Sequence, residues 1–545
     1  MGESSLAIAS STALLTFMLR PKGQRLRSTA LSGAQGPPRM QCRVRSHSAR
    51  DERAPKGGRR TRTCEDAKSF ANIMPSMPPR QTPSRRLHFL SGSAVGYGLA
   101  NRLMGRNQRR FRRRFEIALG LAGLAMFFFL LPQEISGDGA VRFQAIAQLI
   151  EQGQVSSMGY SLVGPLLSVP LYLLGKLHQT PQWWCARFNV LVLTIGLFIS
   201  SRLLRHRRDQ APLSQFYLLL IAASMFPNHL RGYYGEVLTA VLVVVGILAV
   251  CLGRPLGGWC AIVFGTVNSP AAIVGLGFIT VKQALDDRRW RHLLALVVAA
   301  GLILMESWLR RGHPFTTGYE GNAGIQTILP YSGRPGFSYP FFFGLLSILF
   351  SFGKGIIFYA PGLLLSVSNR RAMERDALYR AYRLWMWFLI GLILVYAKWW
   401  AWYGGWFWGP RFFLFASIPA SFALATRLHR GERSLAEGLT TLSVLALSVW
   451  VGINGAVFNQ SNLEICTKEN YALEALCWYV PEFSPLWRPF IVPTALRAEH
   501  LTIIAYGGLV FAYLGFPLLR GVMAQTIRIG ADFWMMHLRS KAWRF

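Results

Sequence analysis

Apolar blocks of about 18 residues with almost no charge recur along this chain, and a block of that length is stable in the hydrocarbon of a bilayer. The clearest are 115–132, 292–309 and 501–519. Inside hydrocarbon every backbone polar group must be satisfied within the protein, which limits spanning segments to helices or closed barrels. The blocks have helical rather than strand length. At 52% hydrophobic residues and a mean hydropathy of +0.29, the chain is also too apolar for an ordinary soluble globule. The expected fold is an all-α integral membrane protein, a polytopic bundle of about 12 transmembrane helices.

The formal net charge of +34 invites a nucleic-acid reading, but its position argues otherwise. Residues 1–114 hold 24 Lys/Arg against 5 Asp/Glu, so over half the excess precedes the first span. The rest sits mostly in short loops between apolar blocks, where the positive-inside rule places it. No nucleic-acid partner is expected.

Residues 1–103 are rich in Arg, Ser, Pro and Gly, and their composition predicts disorder. An acid-poor Ser/Arg leader also fits a targeting segment. Alternatively, translation starts at Met104, where an ordinary basic flank leads into the first span. The domain reading is therefore a basic N-terminal region at 1–114, a membrane domain at 115–520 and a basic tail at 521–545.

The basic run at 109–114 holds the N-terminus on the cytoplasmic side, so the first helix exits outward. For the cluster at 205–209 to lie inside, only one span can fall between them. The stretch 183–204 is unbroken, whereas 160–177 carries Gly164, Pro165, Pro170 and Gly175. The latter is expected as a juxtamembrane helix on the outer face. Spans then follow at 212–226, 236–252, a hairpin at 256–283 broken at Asn268-Ser269-Pro270, 292–309, 341–367, 384–400, 411–428, 438–458 and 501–519. Both termini are expected to be cytoplasmic, with the protein in a bacterial inner membrane. Long outer segments remain at 133–182, 310–340 and 459–500, which suggests a site on the outer face. Cys466 and Cys477 share the last of these, where a disulfide can form. Cys185, Cys251 and Cys260 read as buried bystanders.

Asp138 lies between two glycines just beyond the first span and opens an amphipathic helix. It suits an N-cap, or a carboxylate that takes a proton from an acceptor hydroxyl or amine. The helix it opens places Val141, Ala145, Ile146, Leu149 and Ile150 on one face, suited to lying on the membrane. The next outer turn holds His229, Arg231 and Glu236. Glu236 begins a returning span, where an ionisable group is a functional candidate; pairing with Arg231 in the headgroup layer is the alternative. Lys354 sits in a glycine-broken stretch that suits either a phosphate site or snorkelling. Tryptophans at 399, 400, 402, 406 and 408 precede Arg411. An aromatic belt explains tryptophans at an interface, while aromatic faces beside arginine suit a sugar or lipid-phosphate pocket.

These landmarks together resemble the GT-C superfamily of membrane glycosyltransferases, which includes protein O-mannosyltransferases and aminoarabinose transferases. The resemblance rests on Gly137-Asp138-Gly139 in the first outer loop, the helices after it, and the Asn268-Ser269-Pro270 break. It also rests on the runs HPFTTGYEG at 313–321, SFGKGIIFYAPGLLL at 351–365 and WYGGWFWGPRFF at 402–413. It implies transfer of a sugar from a polyprenyl-phosphate donor to a glycan, lipid or protein acceptor at the outer face. Asp138 would be the catalytic base and Glu236 a second acid. Arg231, His229, Lys354, Trp406 and Arg411 are candidates for substrate binding, and Asp138, Glu236, Lys354 and Arg411 are expected to line one outward-opening cavity. The first loop carries a lone Asp138 rather than an Asp-Glu pair, which leaves a divalent metal open and assigns no metal ligand. The competing readings are a 12-span transporter, which predicts two similar halves and a midplane site, a lipid-linked polymerase or ligase, and a non-catalytic member of the same fold.

Overall fold

The computed structural model describes residues 94–205, 211–318, 324–367, 376–429, 434–459 and 463–542. Most of residues 1–103, with their expected disorder, lies outside these, as do the basic stretches at 206–210, 368–375 and 430–433 and residues 319–321 of the HPFTTGYEG run. Residues 21–104 form a separate unit, of which only the helical stretch from Ala94 is described.

The described residues are helical, with one isolated bridge between Glu134 and Gly232. The chain is a multi-pass membrane protein. Helix α1 (Ala94–Phe129) starts well before the expected first span and carries its basic flank within the helix. Helices α2 (Asp138–Gln152) and α3 (Val163–Leu177) follow in the segment after it. Next come α4 (Phe188–Leu204), α5 (Ala211–Ala222) and α6 (Glu236–Cys251). The expected hairpin is α7 (Pro255–Asn268) and α8 (Ala272–Asp287), broken at Ser269-Pro270. The remaining long helices are α9 (Leu294–Arg311), α10 (Phe341–Phe350), α11 (Ala377–Tyr396), α12 (Ser417–His429), α13 (Leu435–Val457) and α14 (Ala498–Ala542).

Among the described residues, five segments are long and apolar enough to cross a membrane: Trp290–Arg311, Ala377–Tyr396, Arg411–His429, Leu435–Val457 and Ala498–His537. Other apolar helices, α3, α4, α6 and α10 among them, are shorter. The stretch expected to span at 341–367 is interrupted after Phe350 and resumes as the short turns Ile356–Tyr359 and Pro361–Leu364.

Small residues let the buried helices approach closely, as membrane helices do when there is no hydrophobic drive between them. Helices α8 and α11 meet at Gly275 and Gly391. A methyl group on Gly391 would come within 2.6 Å of the Gly275 Cα. The α2 face differs from its expected role. Ile146 is buried and packs with Tyr172 of α3 and Cys185, while Ile150 stays exposed. Cys185 and Cys251 are buried, but Cys260 is exposed, which corrects its expected burial.

Gly391→Val is expected to cost about 1–3 kcal/mol through overpacking. Gly277→Val, on the same helix as Gly275 but with open space around it, should leave stability near that of the parent. Thermal unfolding of the two purified variants in detergent separates them.

Candidate functional site

Two loops must meet before the charged residues can. After α1, the Glu134 backbone N–H donates to the Arg231 carbonyl at 2.9 Å, and Glu134 bridges Gly232. This stitches the loop between α1 and α2 to the turn before α6. Three buried asparagines then fix the turn. Asn189 Nδ2 donates to the Gly232 and Tyr234 carbonyls at 2.7 and 3.0 Å. Asn228 Nδ2 donates to the Gly455 carbonyl at 2.9 Å and to Asn459 Oδ1 at 2.8 Å. Asn268, at the hairpin break, donates to the Gly235 carbonyl at 2.8 Å and to Thr239 Oγ1 at 3.0 Å.

Asp138 is the first helical residue of α2, and its side chain makes no cap. The preceding Gly137 takes the positive φ of 51° that only glycine adopts at ease. The Asp138 carboxylate turns inward, 6% exposed. Its Oδ1 accepts from the Tyr160 hydroxyl at 2.6 Å, and its Oδ2 accepts from Arg411 Nη2. The capping reading is therefore wrong, because both oxygens are committed to side chains from elsewhere in the chain.

Arg411 is the centre of the cluster. Its Nε donates to Glu236 Oε1 at 2.8 Å, and its guanidinium lies over the Tyr234 and Phe407 rings at 4.7 and 5.0 Å. Glu236 thus pairs with Arg411 and not with Arg231, whose Nη1 donates to the Ala456 carbonyl at 2.8 Å. Tyr160 is held from behind by α9. Arg310 of that helix donates to the carbonyls of Ser156, Met158 and Tyr160, at 2.6–2.8 Å. Glu306 accepts from the Leu162 N–H at 2.8 Å.

A cavity of about 340 Å³ opens on this cluster, lined by Glu134, Asp138, Arg231, Tyr234, Trp406 and Arg411 among others. Its two carboxylates and two guanidiniums balance formally. Glu236 lies instead on a smaller neighbouring cavity of about 50 Å³, with Arg142, Tyr160 and Asn268. Lys354 lines neither. It is 5% exposed, so it does not snorkel, and its ammonium donates to the carbonyls of Gly405, at 3.3 Å, and Phe407. Glu474, buried in the segment after α13, lies within electrostatic reach of it, and burial pushes that carboxyl above the usual range. The expected single cavity for Asp138, Glu236, Lys354 and Arg411 is corrected accordingly. Asp138 and Arg411 share the large cavity, while Lys354 holds the tryptophan-rich loop beside it.

His229 is fully buried and lines neither cavity. Its Nδ1 faces the Met225 carbonyl at 3.1 Å and its Nε2 faces the Arg411 carbonyl at 3.3 Å. It supports the Arg411 backbone. Trp406 lines the large cavity and packs against a cluster containing Cys466 and Cys477. Those two cysteines are joined as a disulfide, with Cα atoms 6.0 Å apart. Among the described residues no group of three or more His, Cys, Asp or Glu could hold a metal ion. Asp138 and Glu236 flank a guanidinium instead of converging on a common point.

Tyr160, Tyr234, Arg142 and the pinning asparagines were not singled out as site residues from sequence. Asn189 was the most detectable, as a lone amide in an otherwise apolar helix, where an unpaired polar group is costly.

Together these features define a multi-pass helical membrane protein with an acid–arginine–acid cluster beside a polar cavity. No protein-family model matches the chain, and no curated protein does. Among solved structures it is similar to the crystal structure of ArnT from Cupriavidus metallidurans bound to undecaprenyl phosphate. The two are 15% identical with a TM-score of 0.44, and the match covers 76% of this chain and 79% of that one.

Arg411→Ala leaves two buried carboxylates unpaired and is expected to cost about 3–5 kcal/mol. Adding Asp138→Asn and Glu236→Gln should recover most of that loss in thermal unfolding. A second outcome concerns pH. Burial pushes His229 down from 6.5 to about 4. Between those values the unfolded chain binds a proton that the folded chain does not, so stability falls as pH drops through that window. His229→Gln should flatten this part of the stability–pH curve, measured as the unfolding midpoint against pH.

Proposed function

We propose that this protein is a membrane glycosyltransferase that moves a sugar from a polyprenyl-phosphate donor to an acceptor at the outer face of a bacterial inner membrane. The observation that carries the reading is the Asp138–Arg411 pair on the wall of the polar cavity. Transfer of this kind needs a base for the acceptor and a cation for the phosphate, and that pair supplies both residue types. The resemblance of the chain's motifs to the GT-C superfamily supports it. The basic flank before the first span supports cytoplasmic termini and an outward-facing site.

In this reading the acceptor hydroxyl or amine loses its proton to Asp138 as its oxygen or nitrogen attacks the anomeric carbon. The bond from that carbon to the phosphate oxygen breaks, and the polyprenyl phosphate leaves with the bonding pair. A phosphodiester monoanion thereby becomes a monoester dianion, and the added charge falls where Arg411 and Arg231 can meet it. The balanced charge of the cavity suits a monoanionic donor better than a pyrophosphate. Asp138 Oδ2 is occupied by Arg411 in the resting site, so a donor phosphate that draws the guanidinium away frees that oxygen. Glu236 keeps hold of the Nε edge of Arg411 and acts as a positioning residue. Trp406 and Phe407 offer apolar faces to the sugar ring. No step is assigned to a metal.

The test is turnover by the full chain in lipid nanodiscs, supplied with a panel of polyprenyl-phosphate sugars and read as release of polyprenyl phosphate. At least one donor should turn over. Asp138→Asn should lower that rate by roughly 10²–10⁴-fold while the variant elutes as a folded species. A folded Asp138→Asn variant with the parent rate rules out the assignment.

A further inference from the structure

Away from this site, α1, α4 and α5 enclose a second cavity of about 380 Å³. Its lining is segregated by polarity along its length. One end is formed by Arg113 and Glu116 of α1 together with Ser201 of α4 and Ser214 of α5, and Arg202, next to Ser201 in the last turn of α4, reaches the Phe198 ring of the lining. Apart from Thr194 and the Tyr217 hydroxyl the rest is apolar, with Leu121 and Phe198 59% and 55% exposed. The α1 residues on this wall, from Arg113 to Leu124, recur at intervals of three and four, so one helical face carries both the cationic end and the apolar run.

Among the described residues, the charges at the polar end do not cancel. Glu116, 3% exposed, is fully engaged. It accepts from Arg112 Nε at 3.1 Å, from the Tyr513 hydroxyl at 3.0 Å, and from the Ser214 hydroxyl. Arg113 is exposed, and the Arg202 guanidinium lies over the Phe198 ring at 4.7 Å. Two arginines therefore stand at the mouth of an apolar groove whose carboxylate is already neutralised by Arg112.

From this arrangement we infer that the groove binds one anionic phospholipid of the surrounding bilayer, with its phosphate at Arg113 and Arg202 and an acyl chain along Leu121 and Phe198. The charge complementarity selects the headgroup, and the length of apolar wall selects a chain. By the positive-inside rule this end faces the cytoplasm, so the lipid comes from the inner leaflet. A zwitterionic lipid brings its own ammonium to the arginines and gains less there.

Native mass spectrometry of the full chain in detergent, with phosphatidylglycerol or phosphatidylethanolamine of identical chains, tests this directly. The parent should retain one phosphatidylglycerol in preference to phosphatidylethanolamine. Arg113→Gln combined with Arg202→Gln should weaken that preference by about tenfold. Leu121→Trp fills the groove while leaving both arginines, and should also lose the bound lipid. Unfolding midpoints supply the second measurement: phosphatidylglycerol should raise that of the parent, and glycerol phosphate, which has the headgroup anion but no chain, should not. Equal retention of the two lipids overturns the proposal, as does unchanged retention in either variant. Equal stabilisation by glycerol phosphate also overturns it, because it would mean an anion site without a chain site.

Discussion

A guanidinium removed from water inside a membrane protein is costly unless its charge and its donors are met. Arg411 meets that condition with Asp138 on one edge, Glu236 on the other, and aromatic rings over its face. Each carboxylate is equally dependent on the arginine. Asp138 comes from the helix after the first span, Glu236 from the start of α6, and Arg411 from the turn before α12. One charge cluster therefore fixes the relative positions of three distant parts of the chain, and the cavity exists because they meet.

The cluster is held in place by polar groups that contribute little to chemistry themselves. Asn189 and Asn268 take up carbonyls of the turn that carries Glu236, and Asn228, within that turn, ties it to the Gly455 carbonyl of α13. Arg310 and Glu306 of α9 secure the segment that presents Tyr160. Lys354 holds the carbonyls of the loop leading to Arg411, within electrostatic reach of buried Glu474. Removing water from the interior leaves each of these backbone groups in need of a partner. The asparagines and the lysine fill that need at the points where helices break. Lys354 had the composition of a phosphate ligand, yet its ammonium is taken up by two loop carbonyls.

The second groove obeys the same physics in another setting. Its buried Glu116 is matched by Arg112, Ser214 and Tyr513, which leaves the arginines at the mouth to face outward. Apolar wall and uncompensated cation then sit at opposite ends of one trough, in the order that an anionic amphiphile presents them.

Much of the fold was legible in the chain because hydrocarbon imposes a length and a charge rule on every segment that crosses it. The helical character, the hairpin at Asn268-Ser269-Pro270 and the helix at Val163–Leu177 follow from local composition. So did the candidacy of Asp138, Glu236 and Arg411, since isolated charges beside apolar blocks stand out. Their pairing did not follow. Sequence proximity suggested Arg231 for Glu236, a cap for Asp138 and a phosphate for Lys354, and each was decided by contacts between residues far apart in the chain. Periodicity and charge are local properties and determine which segments are helices and which residues are unusual. Which carboxylate meets which cation depends on helix packing and loop closure, and only the tertiary structure supplies that.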